Sequence, residues 1–181
     1  MVGRQPEGKG SGRQVPVRGD PPPADGPACR RRGLDVRPDD LENCGEIRLQ
    51  HIEDGARGAL TVAEYGGALP FEFKRVYYMT GIADPRAVRG RHAHRTLKQA
   101  IFAAAGSFRL DLDDGRRRAS VVLGEPHVGV YLGPLLWHAM REFTPDCVVI
   151  VFAAEPYEEA DYIRDYEEFR ELVRQKGPKP E

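Results

Sequence analysis

Arg89-Gly90-Arg91-His92-Ala93-His94-Arg95, followed from Lys98 by Gln99-Ala100-Ile101-Phe102-Ala103-Ala104-Ala105-Gly106, is the stretch on which the fold is decided. In an extended strand alternate side chains share a face, so His92 and His94 project together while Ala93 points away. The apolar run after them reads as a strand, 98–105, ending at Gly106. Working outward, short runs rich in Val, Ile, Phe and Tyr recur between Gly, Pro and Asp turns, which is the pattern of an antiparallel all-β domain. Further strands are expected over 47–52, 59–64, 73–79, 107–112, 118–123, 128–132 and 147–153. Asp113-Asp114-Gly115 marks a hairpin, because Gly accepts positive φ and Asp tolerates it. Gly124-Glu125-Pro126 and Thr144-Pro145-Asp146 mark later breaks.

The period changes towards the C-terminus. Tyr162, Ile163, Tyr166, Phe169, Leu172 and Val173 recur every three to four residues, with acids early and Arg174 and Lys176 late, which predicts an amphipathic helix covering the β domain. At the other end, 1–33 is dense in Gly and Pro and almost free of apolar residues, so it cannot offset its ordering entropy and is expected to be disordered. Arg30, Arg31 and Arg32 close that stretch and read first as the solvated end of a linker. The layout expected is a tail over 1–45, one domain over 46–175 and a short tail over 176–181.

Composition excludes several classes. With 27 Lys+Arg against 28 Asp+Glu there is no electropositive surplus to grip a polyanionic duplex, so nucleic acid is not an expected partner. Cys29, Cys44 and Cys147 are far apart, lack CxxC spacing and leave one thiol over after any pairing, which signals neither a disulfide framework nor a zinc knuckle. No apolar run approaches the roughly 20 residues that span a bilayer, and Met1 leads into a Gly/Pro/Arg-rich stretch in place of a secretory signal. A cytoplasmic protein with no membrane partner is expected.

Histidine titrates near neutrality and also ligates metals, so two imidazoles side by side make either a proton-transfer site or part of a metal site. On the strand Phe71–Tyr78, Phe73, Arg75 and Tyr77 share one face and Lys74, Val76 and Tyr78 the other. An inward Arg75 would be a costly buried charge unless paired, and a substrate phosphate is a fitting partner. An outward arginine on an edge strand remains the alternative. Trp137 and His138 follow the turn Gly133-Pro134, where a corner can present a ring and an imidazole to the mouth of the domain. For Trp137, core packing and stacking on a base or sugar both stand open.

The spacing of Gly90, His92, His94, Gln99 and Gly106 resembles the first cupin motif, and Gly129, Pro134 and His138 loosely resemble the second. Metal-binding cupins place a glutamate where Gln99 stands, and a neutral amide holds a divalent ion weakly. A larger set resembles the sugar 3,4-ketoisomerases acting on dTDP-4-keto-6-deoxyglucose, also described as WxcM-like cupins. Its carriers are 54–64, Leu69-Pro70-Phe71, Lys74-Arg75-Val76-Tyr77-Tyr78, Arg89-Gly90 with His92-Ala93-His94, Leu112-Asp113-Asp114-Gly115, Gly129-Val130-Tyr131, Trp137-His138 and Asp161-Tyr162-Ile163-Arg164-Asp165-Tyr166.

The resemblance covers about 47–173 and implies a double-stranded β-helix (cupin, or jelly roll) with a C-terminal helix, forming a homodimer and working without metal or other cofactor. It implies His94 as general base with His92 beside it, and His138, Tyr77 and Arg75 in support. Arg75, Arg89 and Arg91 would hold the pyrophosphate and Tyr131 the thymine, with Gln99 and Trp137 among the substrate contacts. The implied reaction moves the ketone from C4 to C3 of a dTDP-linked keto sugar through an enediol(ate). Ala59 stands where relatives often carry a larger side chain near the pocket mouth, which leaves the C4 configuration of the product open. Other readings are a non-catalytic sugar-nucleotide-binding cupin, a metal-dependent cupin enzyme using His92, His94 and His138, and a 3,5-epimerase of the same broad fold.

Overall fold

The structure is a computed structural model that describes residues 36–177. Its strands are β1 (Cys44–Arg48), β2 (Gln50–Glu53), β3 (Ala59–Val62), β4 (Arg75–Met79), β5 (Arg89–His94), β6 (Gln99–Ala105), β7 (Phe108–Asp113), β8 (Arg118–Leu123), β9 (Val128–Leu132), β10 (Trp137–Arg141), β11 (Val148–Ala153) and β12 (Tyr162–Ile163). One helix, α1 (Tyr166–Lys176), follows. Two five-stranded antiparallel sheets form, ordered β1-β9-β6-β11-β4 and β12-β5-β10-β7-β8, and β2 pairs with β3 as a separate ribbon. This is the all-β cupin arrangement with a C-terminal helix that the sequence implies.

Strand alternation explains where the core lies. Ile101, Val130, Leu132, Val149 and Val151 of the first sheet meet Phe108, Leu110, Leu112, Leu123 and Met140 of the second, so the main core fills the space between them. Side chains of opposite parity on the first sheet, Ala100, Phe102 and Phe152, face away and are covered by Leu49, Leu69 and Phe71. The outer side of the second sheet carries Ala93 and Trp137, on which α1 lays Tyr166, Phe169 and Val173. Asp165 caps α1 by accepting from the backbone N–H of Glu167 and Glu168. Beneath the helix Tyr166 Oη donates to Asp113 at 2.6 Å and accepts from Arg118 Nη2 at 2.9 Å, while Arg118 Nε donates to Asp113 at 2.7 Å.

Several expected boundaries move. Residues 36–45 belong to the fold: Leu41 is 4 % exposed within the core, Asp39 accepts from the Glu46 N–H at 2.7 Å, and Cys44 pairs with Leu132, so the expected tail over 1–45 reaches too far. The disorder expected over 1–33, with Cys29 and the Arg30–Arg32 cluster, lies outside the described residues. The strand expected over 47–52 is two strands, because the chain breaks at Leu49, whose N–H donates to His127 O at 2.8 Å. The corner expected at Trp137 and His138 is a strand, β10. Buried on one side by α1 and on the other by the core, it lacks the polar alternation that would have revealed it. Tyr162 and Ile163, read as the first helical turn, form β12 against β5, and the helix starts four residues later at Tyr166. Among the described residues no helix is long and apolar enough to cross a membrane.

Candidate active site

A β-bulge prepares the site. Across the β5–β10 pair His138 lies opposite His92, but Ala139 lies opposite Gly90, so Arg91 is an extra residue. Gly90 and Arg91 both take positive φ, 79° and 59°, the local kink that such an insertion requires. A side chain at Gly90 would sit 3.0 Å from His138 O and 3.3 Å from its ring, so glycine lets the two strands close at this point. Beyond the bulge the alternation restarts and turns His92 and His94 inward.

Three imidazoles therefore meet between the sheets. Ring centroids are 4.6 Å apart for His92 and His138, 4.9 Å for His92 and His94, and 6.4 Å for His94 and His138. Tyr162 of β12 closes over them, 4.4 Å from His94 and 4.9 Å from His92. From the facing sheet, β4 points Arg75 and Tyr77 inward, with Val76 and Tyr78 exposed on the other side. The buried Gln99 donates through Nε2 to Tyr77 Oη at 2.9 Å, and the Arg75 guanidinium lies 5.2 Å from the Tyr77 ring centroid. Beside this cluster opens a cleft of about 360 Å³ whose walls include Arg75, Thr96, Glu155, Asp161 and Tyr162. Asp161 accepts from His94 Nδ1 at 2.9 Å.

Residues 42–174 match the family described as FdtA: WxcM-like, C-terminal. A TDP-4-oxo-6-deoxy-alpha-D-glucose-3,4-oxoisomerase from Aneurinibacillus thermoaerophilus is 42% identical over 129 residues, 70% of this chain and 90% of the relative. Among solved structures, a variant of the 3,4-ketoisomerase QdtA from Thermoanaerobacterium thermosaccharolyticum, in complex with TDP-4-keto-6-deoxyglucose, is 36% identical with a TM-score of 0.73, covering 77% of this chain and 99% of that one. The TDP-quinovose 3,4-ketoisomerase WlaRB from Campylobacter jejuni is 37% identical with a TM-score of 0.68, covering 72% and 99%. The chain belongs to this family of 3,4-ketoisomerases.

In this ketoisomerase the structure brings His92, His94, His138, Tyr77, Gln99 and Arg75 together and separates the other expected residues from them. Of those brought together only Arg75 lines the cleft, and Gln99, 1 % exposed, spends its amide on Tyr77 and positions that phenol. Trp137 is core: its ring lies 5.2 Å from Tyr166 and 5.6 Å from Phe169, under α1. Tyr131 alternates with the inward Val130 and Leu132, so it faces the opposite side of its sheet and packs near Phe71. Arg89 is exposed before the bulge, and neither it nor Arg91 lines the cleft. Ala59, expected near the pocket mouth, is exposed on β3 and does not line the cleft either. Among the described residues no group of three or more His, Cys, Asp or Glu side chains is arranged to hold a metal ion. Asp161, Thr96 and Tyr162 are the site residues that sequence reasoning missed.

Burial keeps the imidazoles neutral. Desolvation and the neighbouring His94 push His92 down to about 3, and desolvation and His92 push His138 down to about 3. Desolvation and His138 push His94 down to about 4, against the opposing pull of Asp161. Burial and the nearby Tyr162 raise Tyr77 to about 12, so its phenol keeps its proton. The unfolded chain takes up protons on these histidines below about pH 6.5, whereas the folded chain resists until about 4 or lower. The unfolded state then binds more protons, so stability falls as pH drops from 6.5 towards 4, by at most about 4 kcal/mol per pH unit when all three sites differ. Melting temperatures across this range should fall less steeply for His138→Gln than for the wild type. Equal slopes would contradict the buried neutral cluster.

Proposed function

We propose that this ketoisomerase converts dTDP-4-keto-6-deoxyglucose to a dTDP-3-keto-6-deoxyhexose by proton transfer between C3 and C4, with His94 as the base. The observation that carries the reading is the neutral imidazole cluster, with His94 only 3 % exposed and its Nε2 without a hydrogen-bond partner among the described residues. The C3 hydrogen of a 4-keto sugar is acidified by the adjacent carbonyl, and a neutral imidazole can remove it to give an enediol(ate) shared between C3 and C4. Tyr77, protonated and held by Gln99, and Arg75 beside it are the donors placed to meet the developing oxyanion. Returning a proton to C4 leaves the ketone at C3. The exchange is redox-neutral, so the step needs an acid, a base and donors.

Arg75 has the chemistry for a phosphate: it lines the cleft, and its Nε has no hydrogen-bond partner among the described residues. Incubation with dTDP-4-keto-6-deoxyglucose in deuterated water, with and without chelator, tests the reading by NMR. The expected result is a C3 ketone with deuterium entering at the exchanging carbons in both samples. The absence of both a C3 ketone and exchange at C3 would refute it.

We also propose a homodimer. Val76 and Tyr78 on the outer side of the edge strand β4 are 46 % and 71 % exposed, and Ile52 and Leu60 on the ribbon are 45 % and 58 % exposed, apolar surface that a second copy would cover. Sedimentation velocity should show a dimer at micromolar concentration; monomer alone would remove the proposal.

A further inference from the structure

We infer that Asp161 is the positioning residue of His94: its bond to Nδ1 fixes the tautomer that leaves the Nε2 lone pair bare, and its charge supports the imidazolium that forms when a proton is taken. The inference rests on the ketoisomerase reading for its chemistry but on geometry for its substance. Oδ2 of Asp161 accepts from His94 Nδ1 at 2.9 Å and from the Leu97 N–H at 3.3 Å, while Oδ1 accepts from the N–H and the hydroxyl of Thr96, both at 2.8 Å. A carboxylate with four donors is held in its ionised form, and an ionised carboxylate only accepts. Nδ1 of His94 therefore carries the hydrogen, and a neutral imidazole has no second one for Nε2.

The pairing is rigid because both partners belong to one local unit. Asp161 immediately precedes β12, whose Tyr162 and Ile163 lie opposite His94 and Ala93 of β5, and the Arg95 N–H donates to the Asp161 carbonyl at 2.9 Å. Thr96 and Leu97 extend the same strand past its end, so the chain that carries the imidazole also carries three of the four donors holding its carboxylate. Among the described residues, neither His92 nor His138 is hydrogen-bonded to a carboxylate. This difference sets His94 apart from the other two imidazoles as the one whose tautomer a carboxylate fixes.

The test reads the tautomer first and the rate second. In the 15N spectrum of the substrate-free, full-length chain at neutral pH, with the His94 signals assigned by their loss in His94→Asn, Nδ1 should be protonated and Nε2 bare. Asp161→Asn should lose that single-tautomer signature and lower kcat by about 10- to 100-fold with KM little changed, the size of one charge-assisted hydrogen bond. Thr96→Val, which removes one donor to Oδ1 and leaves the Nδ1 bond intact, should keep both the tautomer and a kcat near wild type. A wild-type His94 protonated on Nε2, or an Asp161→Asn variant with unchanged kcat, would overturn the inference. Because the tautomer is read without substrate, failure of the ketoisomerase reading and failure of this pairing give different results.

Discussion

His94→Asn is expected to lower kcat for ketone transfer by about 10²- to 10⁴-fold, the range contributed by one well-placed general base, while TDP still binds. Asparagine keeps a nitrogen donor that can face Asp161 but has no basic lone pair where Nε2 stands, so it removes proton abstraction and leaves the wall of the site standing. The imidazole is held neutral by burial down to about pH 4, so the base is unprotonated throughout the range in which the enzyme can be assayed. The wild-type rate should accordingly show no acid limb near pH 6.5, where a free histidine titrates. NMR progress curves in deuterated water give both rate and exchange, and calorimetric titration with TDP gives binding. A variant that keeps more than a tenth of the wild-type kcat would transfer the role of base to another residue. Loss of TDP binding together with turnover would show that the substitution had damaged the site itself.

The fold was legible because alternation is a local signal. On β4 the sequence alone separates Arg75, Tyr77 and Met79 from Val76 and Tyr78, and the burial pattern follows that division. The histidine pair was legible for the same reason, since a spacing of two on a strand puts both rings on one face. Asp161 was not, because 67 residues separate it from His94 and no periodicity links a carboxylate on one short strand to an imidazole on another. Parity also failed where the backbone departs from a regular strand. The bulge at Arg91 interrupts the count between Arg89 and His92, so Arg89 and Arg91 do not line the cleft, whereas Arg95, just past the end of β5, does. Trp137 misled through its type: an aromatic next to a site histidine suggests stacking, yet on a strand covered from both sides the neighbouring residue must point the other way, into the contact with α1.

Gly106→Ala is expected to destabilise the fold by about 3–5 kcal/mol, combining left-handed strain, overpacking and a weakened hydrogen bond. For a domain of this size that corresponds to a fall in Tm of about 10–15 °C. Gly106 has φ +59°, and a Cβ there would lie 2.3 Å from Thr144 Oγ1, 2.8 Å from Asp146 Oδ1 and 2.8 Å from Cys147 Cα. The exposed Asp146 side chain can swing aside, but Thr144 and Cys147 cannot yield cheaply. Thr144 Oγ1 accepts from the Ser107 N–H at 2.8 Å, the Thr144 N–H donates to Ser107 O at 2.9 Å, and Cys147, immediately before the core strand β11, is 2 % exposed. Gly55→Ala provides the control, since Gly55 has a similar positive φ, +54°, but nothing lies within 4 Å of its added Cβ, so that variant carries the backbone strain without the collision. Thermal unfolding followed by circular dichroism should therefore show a clearly larger loss at Gly106 than at Gly55. Equal losses would mean that the turn relaxes around the methyl group and that the close packing of 106 against 144–147 does not stabilise the fold. Gln99, which holds Tyr77, is at the opposite end of β6, so the folded fraction of Gly106→Ala should turn over at the wild-type rate, which separates the requirement for folding from the requirement for chemistry along a single strand.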